Sequence, residues 1–470
     1  MLLPGHATLV EAAAAIARGE YSSVELTRVC LERAARLNGA LNCFVRIEDQ
    51  AALAQAAAAD AARAAGRALG PLHGVPVALK DMFHDPARAT SFGSRLQRAP
   101  TSAAAATVVA RLDAAGAVRL GALSMSEFAL GPTGHNEFYG PCRNPWNTAY
   151  IAAGSSSGAG AATAARIAFA ALGSDSGGSI RLPAAVCGVL GLKPTYARVS
   201  RAGAMPLSWS ADHIGPLART AADLARLLRV IAGHDPADPS SSHRAVPDYE
   251  ARLGAGIGGL VVGVPQNFFF SGVDAELQCL IDAALAVLVA RGARLTTVQL
   301  PEPERLADLC LTLLYSEAAA LHGHALRTRG TEYSPQVRAR IATGLAIPAA
   351  AYLEALLLRA PLLRSFVCAV YSSCDVLVTP TLAQPVPTLA ATDVGAGTDM
   401  WATIGALVRC TAPFNYLGLP ALSLPIGFSA NGLPAGLQLV GRPFAEARLL
   451  AIAAAYQAET TWHQRAPALD

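Results

Sequence analysis

The stretch "GSSSGAGAATAARIAFAALGSDSGGSIR" (154–181) sets two serine clusters among glycines, about twenty residues apart. The run between them predicts roughly ten residues of helix, rising about 15 Å, then about five of strand, returning about 16 Å. An out-and-back path ends on one side, so a serine of the first loop can meet a serine of the second. The first cluster fits G-x-S-x-G with Ser156 at its centre, the pattern of a nucleophile elbow. That reading needs an acid and then a histidine downstream. Asp212 and His213 are adjacent and so face apart, while His234, His243, His322, His324 and His463 carry no further cue. The second cluster offers the consecutive backbone N–H groups of Ser176, Gly177, Gly178 and Ser179. With glycines allowing the turn, these can converge on one oxygen, the requirement for an oxyanion hole. A phosphate cradle is disfavoured, because neither G-x-x-x-x-G-K-[ST] nor a strand-to-helix G-x-G-x-x-G occurs.

A serine hydroxyl needs a base, and the cation composition points to one. Of 37 cationic residues only Lys80 and Lys193 are lysine. Arginine does not release its proton in a protein, whereas a desolvated lysine can. Lys80 ends the apolar run "HGVPVALKD" (73–81), a predicted buried strand, so it is the candidate base; Lys193, in "GLKPT", reads as structural. Asp175 and Arg181 flank the second cluster and read as an ion pair or as hydrogen-bond anchors of the loop. His73, His84, Asp81 and Asp85 gather near Lys80 without metal-ligand spacing, so neither a metal nor another cofactor is expected.

The rest of the chain supplies the scaffold. At 470 residues, 53% hydrophobic and 15% charged, it can bury a large core. A net charge of +3 without a dense basic run argues against nucleic acid as a partner. Nine cysteines without C-x-x-C read as reduced thiols in a cytoplasmic protein. No apolar run reaches about 18 residues without a charge, and the first twenty residues lack a basic leader, so neither a membrane span nor a signal peptide is expected. Thr8-x-x-Glu11 and Ser22-x-x-Glu25 are capping boxes that open helices. Strands follow in "HGVPVALKD" (73–81), ending at Lys80, at 375–380 and in the neighbouring runs "LPALSLPIGF" and "GLQLVG". The Pro- and Ser-rich segment 233–247 reads as a surface loop. This alternation predicts an α/β protein, one domain around a large mixed sheet.

From Gly154 to Thr195, without a gap, the sequence resembles the signature of the amidase signature family. The likeness extends to "GPLHGVPVALKD", "NPWN", "DHIGPLART", "TAPFNYLGLPALSLPIGF" and "GLQLVGRPF", and so covers nearly the whole chain. The resemblance implies a single α/β/α domain over 1–470, a twisted mixed sheet covered by helices, with its signature core at about 73–220. It also implies a Ser–cis-Ser–Lys triad: Ser179 as nucleophile, Ser155 as the bridging serine on a cis peptide, and Lys80 as base. The amides of Ser176 to Ser179 would form the oxyanion hole, and Ser156 becomes a supporting residue. Ser157 and Ala159 depart from the family's usual "GGSSGGS" without touching the triad.

The expected activity is a stand-alone, cofactor-free amidohydrolase that cleaves small amides, aryl amides or carbamates among them, through an acyl-serine. A homodimer is compatible with this. The alternatives are the glutaminase subunit of a tRNA-dependent amidotransferase, working with partner chains, and a catalytically silent binding protein on the same scaffold. Intact Lys80, Ser155 and Ser179 argue against silence. The segment 127–147 and the helical region 305–370 are the expected pocket walls, with Phe128, Ala129, Phe138 and Tyr139 as candidate substrate contacts. Apolar walls favour aryl or alkyl amides over glutamine, for whose charges only Arg143 offers itself.

Overall fold

Both capping boxes form: Thr8 and Ser22 each accept from the backbone N–H three residues on, and Glu11 and Glu25 reach back to the cap amides. They start the helices Leu9–Arg18 and Ser23–Leu41. The computed structural model describes residues 6–96 and 104–469. An 11-stranded mixed sheet runs through them in the order β1-β3-β2-β4-β6-β5-β10-β11-β9-β7-β8. The strands are β1 (Phe44–Ile47), β2 (Pro76–Lys80), β3 (Val118–Leu123), β4 (Ala170–Asp175), β5 (Leu190–Lys193) and β6 (His213–Ala218). They continue as β7 (Val261–Pro265), β8 (Arg294–Val298), β9 (Val376–Pro380), β10 (Ala421–Phe428) and β11 (Pro434–Val440).

In β2, β3, β4 and β6 every residue is buried. Helices therefore cover both faces, which explains why these strands read as unbroken apolar runs rather than alternating ones. β2 lies parallel to both β3 and β4, so the carboxyl ends of all three strands point the same way. Lys80 is the last residue of β2 and Asp175 the last of β4. The predicted neighbours β10 and β11 pair antiparallel from Ala421↔Val440 to Phe428↔Pro434.

The segment 233–247 is tied to the body of the molecule. Asp235 accepts from Thr107 and Ser200, and Arg198 donates to the carbonyls of Arg244 and Ala245. Among the described residues no single helix is long and apolar enough to cross a membrane.

Candidate active site

The helix Ser157–Ala164 runs out from the first serine cluster and β4 returns to the second, so the two glycine-rich loops meet. Ser156 N–H donates to the Ser179 carbonyl at 3.3 Å. The peptide bond between Gly154 and Ser155 is cis. A Cβ on Gly154 would lie 2.4 Å from the Gly131 carbonyl oxygen, so the loop presses against the turn 126–131 as only glycine allows. Ser126 N–H donates to the Ser155 carbonyl across the same contact.

Lys80 reaches this junction from the end of β2. Its Nζ donates to Ser155 Oγ at 2.7 Å and to Ser174 Oγ at 2.9 Å. The side chain is fully enclosed, and burial pushes its pKa down to about 7, with Asp212 and Asp175 opposing that shift. Ser174, one residue before the end of β4, is a contact the sequence analysis did not single out. Ser179 is half-buried, and its hydroxyl has no hydrogen-bond partner among the described residues. Ser156 is completely enclosed; its Oγ donates to the Ser174 carbonyl and accepts from the Ser174 N–H. It pins the end of β4 and has no access to a substrate, so the elbow reading fails. Ser157, the departure from the family pattern, is likewise buried and donates to the Ser124 carbonyl.

The second loop is held by the expected ion pair. Asp175 and Arg181 are both 0% exposed, with Arg181 Nη2 donating to Asp175 Oδ1 at 2.9 Å and Nε to Oδ2 at 3.0 Å. The guanidinium holds the carboxyl well below the ordinary carboxylate range despite its burial. Arg181 also donates to Gln438 Oε1, Asn415 Oδ1 and the Thr411 carbonyl, so one side chain clamps the loop 175–181 to β11 and to the segment 411–415. Thr411 Oγ1 in turn donates to the Gly177 carbonyl at 2.5 Å.

One of the four predicted oxyanion-hole amides is already engaged: Gly178 N–H donates to Asp175 Oδ1 at 2.8 Å. The amides of Ser176, Gly177 and Ser179 make no hydrogen bond within the described residues, and the space above Gly177 is open. That leaves three donors instead of four.

Asp212 and His213, unassigned by the sequence reading, support the same loop. Ser176 Oγ donates to Asp212 Oδ1 at 2.5 Å, and the amides of Leu207 and Ser208 donate to Oδ2. His213 Nδ1 donates to the carbonyls of Ala211 and Asp175, and burial holds its pKa well below the ordinary imidazole value. A cavity of about 260 Å³ opens beside them, with Met82, Ser174, Arg201, Trp209 and Asp238 in its wall.

The candidate substrate contacts divide into two groups. Phe128 and Ala129, both at positive φ, sit on the turn packed against Gly154. The Phe128 ring meets His322 and Tyr333 from the helical region 305–370, with centroids 4.5 and 5.4 Å away. Glu127 fastens that region down by accepting from Ser334 N–H and Ser94 Oγ. Phe138 and Tyr139 make other contacts: both amides donate to Asn136 Oδ1, Phe138 sits under Arg95, and the Tyr139 carbonyl accepts from Asn42. Arg143 donates to the Thr148 carbonyl at the surface. Lys193, 0% exposed, donates to the carbonyls of Pro194 and Leu419, in keeping with its structural reading. Among the described residues no group of three or more His, Cys, Asp and Glu side chains is placed to hold a metal ion.

Comparison with known proteins adds a family to this geometry. A family model described as Amidase matches residues 25–450. The A subunit of the glutamyl-tRNA(Gln) amidotransferase of Methylococcus capsulatus is 41% identical, over 98% of this chain and 98% of that one. Two solved structures are similar throughout. One belongs to a complex described as vestigial and as revealing the evolutionary origins of an s-triazine catabolic enzyme. It has a TM-score of 0.91 and 35% identity, over 96% of this chain and 98% of that one. The other is the peptide amidase of Stenotrophomonas maltophilia, with a TM-score of 0.86 and 32% identity, over 98% of each chain.

Proposed function

The chain belongs to the amidase signature family of hydrolases acting on C–N bonds, and within that family's chemistry we propose that Ser179 is the nucleophile that accepts an acyl group from an amide. The observation that carries this is the enclosed Lys80 amine 2.7 Å from Ser155 Oγ, on the loop that touches the Ser179 backbone. A neutral amine that donates to Ser174 keeps a lone pair for the Ser155 hydroxyl proton. Ser155 then takes the Ser179 proton as Ser179 Oγ bonds to the amide carbon. The free amides of Ser176, Gly177 and Ser179 are the donors for the carbonyl oxygen as it gains charge. When the C–N bond breaks, Lys80 returns the proton through Ser155 to the departing nitrogen. Water then cleaves the ester by the same relay.

The acyl group is read from the relatives, and they reverse the order expected from apolar walls. Identity of 41% over 98% of both chains to an amidotransferase's amidase-type subunit favours a primary carboxamide, the glutamine side chain, split in an assembly with other chains. The 260 Å³ cavity is compatible with a polar substrate, since the Arg201–Asp238 ion pair, 3.5 Å apart, stands in its wall. A free-standing hydrolase of small amides is the second reading, favoured by the TM-score of 0.86 to the peptide amidase. The test is kcat/KM of the purified chain for glutamine, an aliphatic amide and an anilide. Glutamine ahead by tenfold or more supports the first reading, and the anilide or aliphatic amide ahead by as much supports the second. No turnover of any amide, together with no phosphonylation of Ser179 by a phosphonate probe, would sink both.

A further inference from the structure

A second cavity lies at the other end of the β4–β6 pair. It has a volume of about 760 Å³, and its wall includes His6, Arg166, Arg219, Thr220, Gln457 and His463. Arg166 precedes β4 and Arg219 follows β6, beside the Ala170↔Ala218 pairing. The six residues of β4, at about 3.3 Å each, therefore separate this cavity from the serine loops.

Arg166 and Arg219 line the cavity with Arg33 behind them, and the wall also holds the carboxylate of Glu11, which accepts from the Thr8 N–H. Arg33 donates to the Ala165 carbonyl; Arg166 to His6 Nδ1 and the Gln464 carbonyl; Arg219 to the carbonyls of His6 and Ala7. None of the three forms an ion pair within the described residues, whereas buried Arg181 and Arg119 both do. Arg166 is 9% exposed and Arg219 6%, and the Nε of each is enclosed with no partner. They repel one another: burial together with Arg219 and Arg33 pushes the Arg166 pKa down to about 10. Asp223, which also faces Arg219, is pushed up to about 6 by burial, so its charge is incomplete in mildly acidic solution. The helix Ala221–Ile231 adds its N-terminal turn, the positive end of its dipole, to the same wall. Burying cations without an ion-paired counter-charge is costly, and a cavity beside Arg166 and Arg219 gives a further counter-charge a place to bind.

We propose that this cavity is a binding site for a small, multiply charged oxyanion, a molecule bearing phosphate or carboxylate groups, held between Arg166 and Arg219. The site is separate from the serine loops, so it stands or falls independently of the substrate reading. The test is calorimetric titration of the full chain with pyrophosphate and with citrate at constant ionic strength. One anion bound per chain is expected, with affinity lowered at least tenfold in Arg219→Gln and in Arg166→Gln. It should be unchanged in Arg448→Gln, which removes an exposed cation paired with Asp375. Pyrophosphate alone binding identifies a phosphate ligand, and citrate alone a carboxylate; both binding assigns the shared chemistry. Binding of neither, or equal binding in Arg219→Gln, overturns the proposal. Should the arginine variants fail to fold, hydrogen exchange of the unmodified protein decides instead. The anion must slow exchange in 219–223 and 457–464, and no change there also overturns the site.

Discussion

Enclosure lowers the pKa of Lys80 to about 7, and both activity and stability inherit that. If Lys80 is the base, kcat/KM should rise with pH through an inflection near 7, where the amine loses its proton. The folded chain binds fewer protons at this site than the unfolded chain between about pH 7 and the ordinary lysine value of 10.5. Stability should therefore increase with pH across that window, and the full penalty applies below it. Lys80→Met should be inactive yet melt higher than the unmodified protein at pH 7, because it removes a desolvated amine from the core. Lys80→Arg should be inactive without that gain, since arginine keeps its charge; substantial turnover by Lys80→Arg would show that the side chain is not a base. The serines separate in the same way. Ser179→Ala should lose both turnover and the mass tag of a phosphonate probe. Ser156→Ala should keep the tag on Ser179 but lose about 1–3 kcal/mol of stability, having left the Ser174 N–H and carbonyl unpaired.

The loop 175–181 works as one element, fixed by a clamp drawn from across the sheet. Asp175→Asn should cost about 3–5 kcal/mol in denaturant unfolding, because it strands the Arg181 charge in the core. Gly178→Ala should be as harmful to turnover as losing a donor, about a hundredfold or more in kcat. Its φ is +138°, and a Cβ would lie 2.3 Å from Thr411 Oγ1. Gly177→Ala meets nothing within 4 Å, so its stability should change by no more than about 0.5 kcal/mol. This element also marks what the sequence could reveal. The two serine loops, the strand carrying Lys80 and the Asp175–Arg181 pair are close in sequence or tied to a period, and they were legible. Thr411, Asn415 and Gln438 reach Arg181 from more than 200 residues away, and no local pattern announces them. Ser174 looked like one more small residue in a strand, and only the parallel pairing of β2 with β4 brings it to Lys80. The engagement of Gly178 N–H by Asp175 was equally hidden, because counting donors along a loop does not show which are already taken.

Across the whole molecule, polar groups are distributed by what the sheet can cover. All nine cysteines are free thiols; seven are buried, and Cys279 and Cys368 are exposed. Burial also pushes the thiol pKa of Cys30, Cys43, Cys310 and Cys410 up to about 12. Iodoacetamide should therefore alkylate two cysteines in the native protein and nine after denaturation, as read by intact mass. The lysines carry the contrast further. Lys80 is 1% exposed and Lys193 0%, and the chain has no third. Every lysine amine is thus locked inside, and the solvent-facing cations are all guanidinium groups. Acylation or reductive methylation at lysine, read by peptide mass, and cleavage by a lysine-specific protease should find no target until the core opens. The rate at which such a reagent gains a foothold is then a clock for global unfolding, written into the protein by its two hidden amines.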